Sequence, residues 1–381
     1  MPTKDELLDR ARDLAPAFRA RAQAAEQART LPRESVVELL DAGIARILVP
    51  ARFGGDELGL DTWFELVREI AKADASHGWC ASLIVHHAHY IAQFPEAAQQ
   101  DVWSAGPDVA LASSIVPYCE VKPVDGGYRI SGRAPFASGV NHASWVLLGG
   151  LLHGAGPPDW LWFLLPKAQV EVEDTWFTSA MCATGSNTIV SDDIFVPDTH
   201  VIRQTDLLDA TAPGSALNSG PLYRWPWVAY APLTFAAPIL GAAQGALADF
   251  LAATPARRTP AGQPLAEITA IQVAVGRAAA AIDAAELLLR RIAEAPEPPS
   301  LELRARTMRD YAAAVELILP AIDALTSLSG SSAFASSQPI QRAWRDIHFA
   351  ATHHALGAEL NLSHFGRTAL GLPRLAGQDS Y

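Results

Sequence analysis

The sequence predicts an α+β chain of three consecutive units: a helical unit over residues 1–107, a β-rich unit over 108–215 and a helical bundle over 216–381. Three observations predict it. Leucine and alanine recur at helical spacing through the first hundred residues. From about Gly106 to Val201, short β-branched and aromatic runs alternate with glycine turns. From about Gly220 onward, long alanine-rich periodic stretches return.

Each element follows in order. "DELLDRARDLAPAFRARAQAAEQA" sets apolar residues at helical spacing with charges between them. "PRESVVELLDAGIARI" reads as a second helix, with Pro32 at its start and Gly43 at its end. "LVPARFGGDELGL" reads as a loop. "DTWFELVREIAKADASHGWCASLIVHHAHYIAQF" gives two more helical segments, with Asp61 expected as an N-cap. In the β unit, "DGG" before "YRISG" is a hairpin signal. "WLWFLLP" and "NTIVSDDIFVP" continue the strand pattern. "LAEITAIQVAVGRAAAAIDAAELLLRRIAEA" and "LELRARTMRDYAAAVELILPAIDALTSL", separated by "PEPPS", suit antiparallel bundle neighbours. A last helix is expected over about Pro339 to Leu356.

Composition narrows the classes. The 381 residues are 50% hydrophobic and 18% charged, enough for a large buried core. A net charge of -12 argues against nucleic acid and anionic membrane as partners, since both need a basic face. The charged N-terminus lacks the apolar run of a secretory signal. Cys80, Cys119 and Cys182 are scattered and odd in number, which reads as reduced cytoplasmic thiols. Trp227 to Ala253 is almost continuously apolar, but Pro232, Pro238, Gln244 and Asp249 interrupt it. It is expected to be a buried bundle helix, not a membrane span.

Several motifs fail. "GAG" at Gly154–Gly156 runs into two prolines, so no helix opens there to receive a pyrophosphate. Neither a Walker A sequence nor a GxSxG elbow is present. Six of the 11 histidines sit in "VHHAHY" (Val85–Tyr90) and "RDIHFAATHH" (Arg345–His354). Metal binding, proton handling and coincidence are the three readings. On one helix, His348 and His353 would lie about 140° apart. His86 and His89 share a face with no carboxylate or cysteine beside them. No metal site is expected.

Specific strings carry a resemblance. "MCATGSNTIVSDDIFVP", "RRTPAGQPL" and "RAWRD" resemble segments of the acyl-CoA dehydrogenase superfamily, in the same order along nearly the whole chain. That fold implies a helical N-terminal domain, a middle β-barrel or sandwich and a C-terminal four-helix bundle. The chain departs from the dehydrogenases where their catalytic glutamate falls: "ATHHALG" stands there, and "GSSAF" replaces a "GGxGY" string. "GGYRISGRAPFASGVNHASW" (Gly126–Trp145), "PLYRWPW" and the "RDxHxxxxH" helix instead resemble the oxygenase components of two-component flavin monooxygenases. That branch includes 4-hydroxyphenylacetate, secosteroid-phenol and dibenzothiophene oxygenases.

The resemblance implies a reaction. Reduced FMN, with FAD as the alternative, meets O2 to give a flavin hydroperoxide that hydroxylates a small aromatic or heteroaromatic substrate. That species lasts when the N5 proton is held and water is excluded. Ser138, beside Ala137 in "FASG", matches the position that holds N5; a turn serine capping its own loop is the plain alternative. Histidine suits proton delivery, with an ordinary pKa near 6.5. His353 matches the last-helix histidine and His86 the upstream one, so two helices are expected to bring one histidine each to the same flavin face. His87, His89, His348 and His354 read as packing or surface residues, and His142 as either a family match or a loop residue bonding backbone. Ser113 and Ser114 match positions at the isoalloxazine edge. Arg258 resembles the arginine that reaches a neighbouring subunit's flavin phosphate, and Ser331 and Ser332 add hydroxyls there. A separate NAD(P)H–flavin reductase, a homotetramer and a cytoplasmic location complete the implied picture. Two rivals remain: a thioester dehydrogenase with a histidine base, and a non-catalytic flavin-binding scaffold.

Overall fold

A computed structural model describes residues 2–295 and 300–373. The chain opens with α1 (Lys4–Ala28), started by a capping box in which the Thr3 hydroxyl accepts from the Glu6 amide and the Glu6 carboxylate accepts from the Thr3 amide. Then come α2 (Arg33–Asp41), α3 (Leu60–Ala73), α4 (Ala75–Gln93) and α5 (Glu96–Trp103). Asp61 is not the cap of α3: the helix starts at Leu60 with Gly59 at the N-cap. The Asp61 carboxylate pairs instead with Lys4 of α1 at 2.8 Å. α4 is capped by Asp74, whose side chain accepts from the His77 amide. It is buried on nearly every side, which a helix apolar all round requires.

The β unit holds β1 (Leu111–Val124), β2 (Gly127–Ala137), β3 (Trp145–Leu152), β4 (Asp159–Pro166), β5 (Glu171–Glu173), β6 (Asn187–Pro197) and β7 (Val201–Arg203). They form one mixed sheet in the order β5-β6-β2-β1-β3-β4-β7. β1 and β2 make a hairpin through Asp125–Gly126, where Gly126 takes φ 74°. β1 runs parallel to β3; the other pairs are antiparallel.

After α6 (Gln204–Leu208), residues 213–230 lie against α4. The Asn218 side chain donates to the Ala92 carbonyl, and Tyr223 stacks on His89. The last helices are α7 (Leu233–Ala253), α8 (Thr269–Ala293), α9 (Leu301–Leu328), α10 (Pro339–Ala351) and α11 (Ala358–Ala369). α7 packs on α3, α4, α8, α9 and α10, so its apolar run is core. It lies so close to α3 that a Cβ on Gly245 would meet the Lys72 carbonyl oxygen at 2.2 Å.

The sequence pattern does not anticipate α11, and α10 is shorter than the pattern indicates. It ends at Ala351, with the Thr352 hydroxyl donating to the Phe349 carbonyl. His353 has left the helix at φ -60°, ψ 130°, and its side chain caps the following turn. The angular comparison of His348 with His353 on one helix therefore does not apply.

Candidate active site

The α4 histidines are distinguished by their partners. His87 donates from Nδ1 to the Leu111 carbonyl (2.6 Å), so its Nε2 accepts from the Ser113 hydroxyl (2.8 Å). His89 bonds the Tyr230 hydroxyl and the Leu222 carbonyl. His86 bonds the Thr234 hydroxyl through Nδ1 at 2.6 Å, while its buried Nε2 has no hydrogen-bond partner among the described residues. Its ring lies among Trp63 (5.1 Å), Tyr90 (4.4 Å) and Tyr230 (5.7 Å). The buried indole N–H groups of Trp63, Trp162 and Trp227 also lack hydrogen-bond partners among the described residues. Trp162 and Trp227 pack on Tyr90, so these polar atoms surround one aromatic cluster. A buried donor without a partner is uncommon, and four such groups around one aromatic cluster suit a flat ligand carrying polar substituents.

A second group forms two turns nearer the start of α4, about 10 Å along its axis. Trp79 donates from Nε1 to the Ser138 hydroxyl oxygen at 3.2 Å. The same indole packs on Phe235 (5.1 Å) and edge-on to His353 (6.1 Å). His353 stacks on Phe235 at 3.6 Å. Residues from α4, the end of β2, α7 and the turn after α10 thus meet at one indole. His86 and His353 come to consecutive residues of α7, Thr234 and Phe235, which point about 100° apart on a helix.

Neither imidazole keeps the ordinary pKa. Burial pushes His86 well down, helped by His87 and His89. Burial, with His354 alongside, pushes His353 down too. Both are neutral at pH 7. His353 Nδ1 accepts from the Ala355 amide (3.3 Å), so its single proton sits on Nε2. It enters neutral chemistry as an N–H donor.

Beside Ser138 lies a narrow crevice of about 20 Å³, lined chiefly by Leu31, Cys80, Leu83, Ile84, Leu111 and Ser138. Its walls are α4 and the ends of β1 and β2. His142 also lines it but donates to the Leu31 carbonyl at 2.8 Å, the backbone role open to it from sequence. Ser113 points to α4, whereas Ser114 donates to the Pro135 carbonyl at 2.6 Å, as strand alternation dictates. Ala137 is fully buried and pairs with Asn187. Arg258 is exposed and donates to Gly262 of its own loop; Ser331 and Ser332 are exposed after α9. Arg257, in contrast, donates to the carbonyls of Leu328 and Ser329 at the end of α9, which brings the two loops together.

Among the described residues, no three His, Cys, Asp or Glu side chains form a group able to hold a metal. Sequence reasoning missed Trp79, Phe235, Thr234, Thr184 and Ser186. Trp79 stands seven residues before His86, two turns along one helix face, and that spacing was the available signal. Thr184 and Ser186 sit in the string "MCATGSN", but their role depends on contacts made in three dimensions.

The sequence matches two family descriptions: "Acyl-CoA dehydrogenase, N-terminal domain" over residues 1–106 and "Acyl-CoA dehydrogenase, C-terminal domain" over residues 233–357. It is 36% identical to the flavin-dependent monooxygenase oxygenase subunit HsaA of Mycobacterium tuberculosis, covering 95% of this chain and 94% of that one. It is 34% identical to the FADH(2)-dependent resorcinol hydroxylase oxygenase component of a Rhizobium species, covering 96% and 94%. The solved 3-HSA hydroxylase of Rhodococcus sp. RHA1 superposes with a TM-score of 0.94 at 35% identity, covering 99% of both chains.

Proposed function

The chain belongs to the acyl-CoA dehydrogenase superfamily, in its branch of flavin-dependent monooxygenase oxygenase components, and from that premise we propose how its site works. The enzyme takes reduced flavin from a separate reductase and uses O2 to hydroxylate a small aromatic substrate. The observation that carries this reading is Ser138: its oxygen accepts from Trp79 and keeps a second lone pair beside an apolar crevice.

The residues fit a reduced flavin, which when bound supplies the electrons that activate O2 and passes one oxygen atom to the substrate. Ser138 would accept a hydrogen bond from the N5–H of that flavin and so keep its proton in place. Trp79 and Phe235 exclude water from that position. Ser113, fixed by His87, would line the ring edge, and Ser114 and Ala137 would supply backbone and shape. His353 offers its Nε2 proton, and His86 Nε2 meets the substrate's polar substituent among Trp63, Tyr90 and Tyr230. Arg258, Ser331 and Ser332 are each exposed, which would suit them to a neighbouring subunit's flavin phosphate in a homotetramer.

For the flavin itself, the resorcinol hydroxylase's name favours FAD over the FMN read from sequence. Three unpaired buried cysteines suit a cytoplasmic location. Among the described residues, no hydrogen bond or ion pair brings a carboxylate to Ser138, Trp79 or His353, which disfavours thioester dehydrogenation. The experiment is to mix the protein with reduced FAD or FMN, O2 and a panel of phenols. Hydroxylated product formed in step with oxygen uptake supports the reading. Anaerobic bleaching of the oxidised flavin by a thioester overturns it.

A further inference from the structure

We propose that Ser186 and Thr184 are positioning residues, forming a one-way hydroxyl relay that holds Ser138 as a hydrogen-bond acceptor toward the flavin. The inference rests on the reading that Ser138 faces flavin N5.

The relay's direction follows from its end. Thr184 Oγ1 lies 2.8 Å from the Met181 carbonyl, which can only accept, so the single Thr184 proton is committed there. Ser186 Oγ lies 2.7 Å from Thr184 Oγ1 and must therefore donate to it. Ser138 Oγ lies 2.7 Å from Ser186 Oγ and must in turn donate to that oxygen. Ser138 is left with no proton to give. Its remaining capacity is as an acceptor, half used by the Trp79 N–H at 3.2 Å.

The terminus is firmly held. Met181 sits in the left-handed region at φ 49°, a conformation a non-glycine residue keeps only when its surroundings over-determine it. Its carbonyl also accepts from Trp176 Nε1 at 3.0 Å. Its amide donates to the buried carboxylate of Asp346 on α10 at 2.5 Å. Both peptide groups around Met181 are thus pinned, and the carbonyl cannot turn away to let the relay reverse. Thr184 and Ser186 are buried, which removes water as a competing partner.

Flavin N5 carries a proton when reduced and a bare lone pair when oxidised. A Ser138 fixed as acceptor stabilises the first and opposes the second. The relay therefore appears in the ratio of dissociation constants for oxidised and reduced flavin. Anaerobic titration with reduced FAD and fluorescence titration with oxidised FAD measure that ratio. Thr184→Val and Ser186→Ala each free the Ser138 proton, and each is expected to lower the ratio roughly tenfold. Thr184→Ser keeps the hydroxyl and is expected to keep the wild-type ratio. If both Thr184→Val and Ser186→Ala hold the wild-type ratio while Ser138→Ala lowers it, the relay is overturned and the site stands. A fall in Thr184→Ser equal to that in Thr184→Val also overturns it, because packing rather than the hydroxyl then acts. If Ser138→Ala too leaves the ratio unchanged, the placement of the flavin falls with it.

Discussion

Ser138 and Asp346 show how much one side chain depends on atoms far away in sequence. Ser138 is left as an acceptor because its one proton is donated to Ser186, 48 residues later, in a chain that ends at the Met181 carbonyl. Ser138→Ala removes the group proposed to hold N5. It is expected to raise hydrogen peroxide released per oxygen consumed several-fold, measured against hydroxylated product in the same assay. An unchanged yield removes Ser138 from the chemistry. Asp346 is fully enclosed, and burial beside Asp74 pushes its carboxyl up to about 7. Its unfolded value is about 3.9, so the folded state binds the proton more tightly. The stability it contributes is full below about pH 4 and falls as pH rises toward 7, above which it is flat. Asp346→Asn keeps an oxygen for the Met181 amide without the buried charge. Its stability advantage over the wild type is expected to grow by about 2 kcal/mol between pH 5.5 and pH 8, read from denaturant midpoints. An advantage independent of pH would contradict this account.

At the scale of elements, α3, α4 and α7 determine where the site residues stand. α7 presents Thr234 to His86 and Phe235 to His353, so its height against α4 sets both imidazoles. Gly241 and Gly245 allow the close approach of α7 to α3. Gly245→Ala places a methyl against the Lys72 carbonyl, and backbone has to move. The expected loss is about 1–3 kcal/mol in thermal or urea unfolding, whereas Gly276→Ala, on an open face of α8, is expected to gain up to about 1 kcal/mol. Equal effects at the two positions would mean that helix propensity, not approach, is what matters. Between α3 and α8, Arg68 joins Glu65, Glu69 and Glu286, and Arg290 joins Glu65 and Glu286. This charge cluster joins an N-terminal helix to a C-terminal one without using any site residue.

For the whole molecule, the three units are held in one body by α4 and α7 at the centre, yet apolar surface remains outside. Val273 and Leu287 are 46% and 68% exposed on α8, fourteen residues apart and so on one face. The proposed homotetramer places such a face between subunits. Leu287→Asp is expected to shift the assembly toward smaller species by light scattering at micromolar concentration. It is also expected to weaken flavin binding if Arg258 serves a neighbour's flavin. An unchanged mass would place the interface elsewhere.

The sequence by itself determined the order of helix, sheet and helix, because periodicity and turn residues are local properties of the chain. It also pointed to Ser138, His86 and His353 through short strings. It did not reveal that Asp61 pairs with Lys4, that α10 stops at Ala351 with α11 after it, or that the two imidazoles are held neutral. Those depend on burial and on partners distant in sequence. Only the tertiary structure decided which histidine of "VHHAHY" keeps a free nitrogen: Leu111, Ser113, Leu222 and Tyr230 occupy His87 and His89, and among the described residues only Thr234 hydrogen-bonds His86. Hydrogen-bond direction is set by the last acceptor in a chain of contacts, and a linear sequence does not say which groups touch.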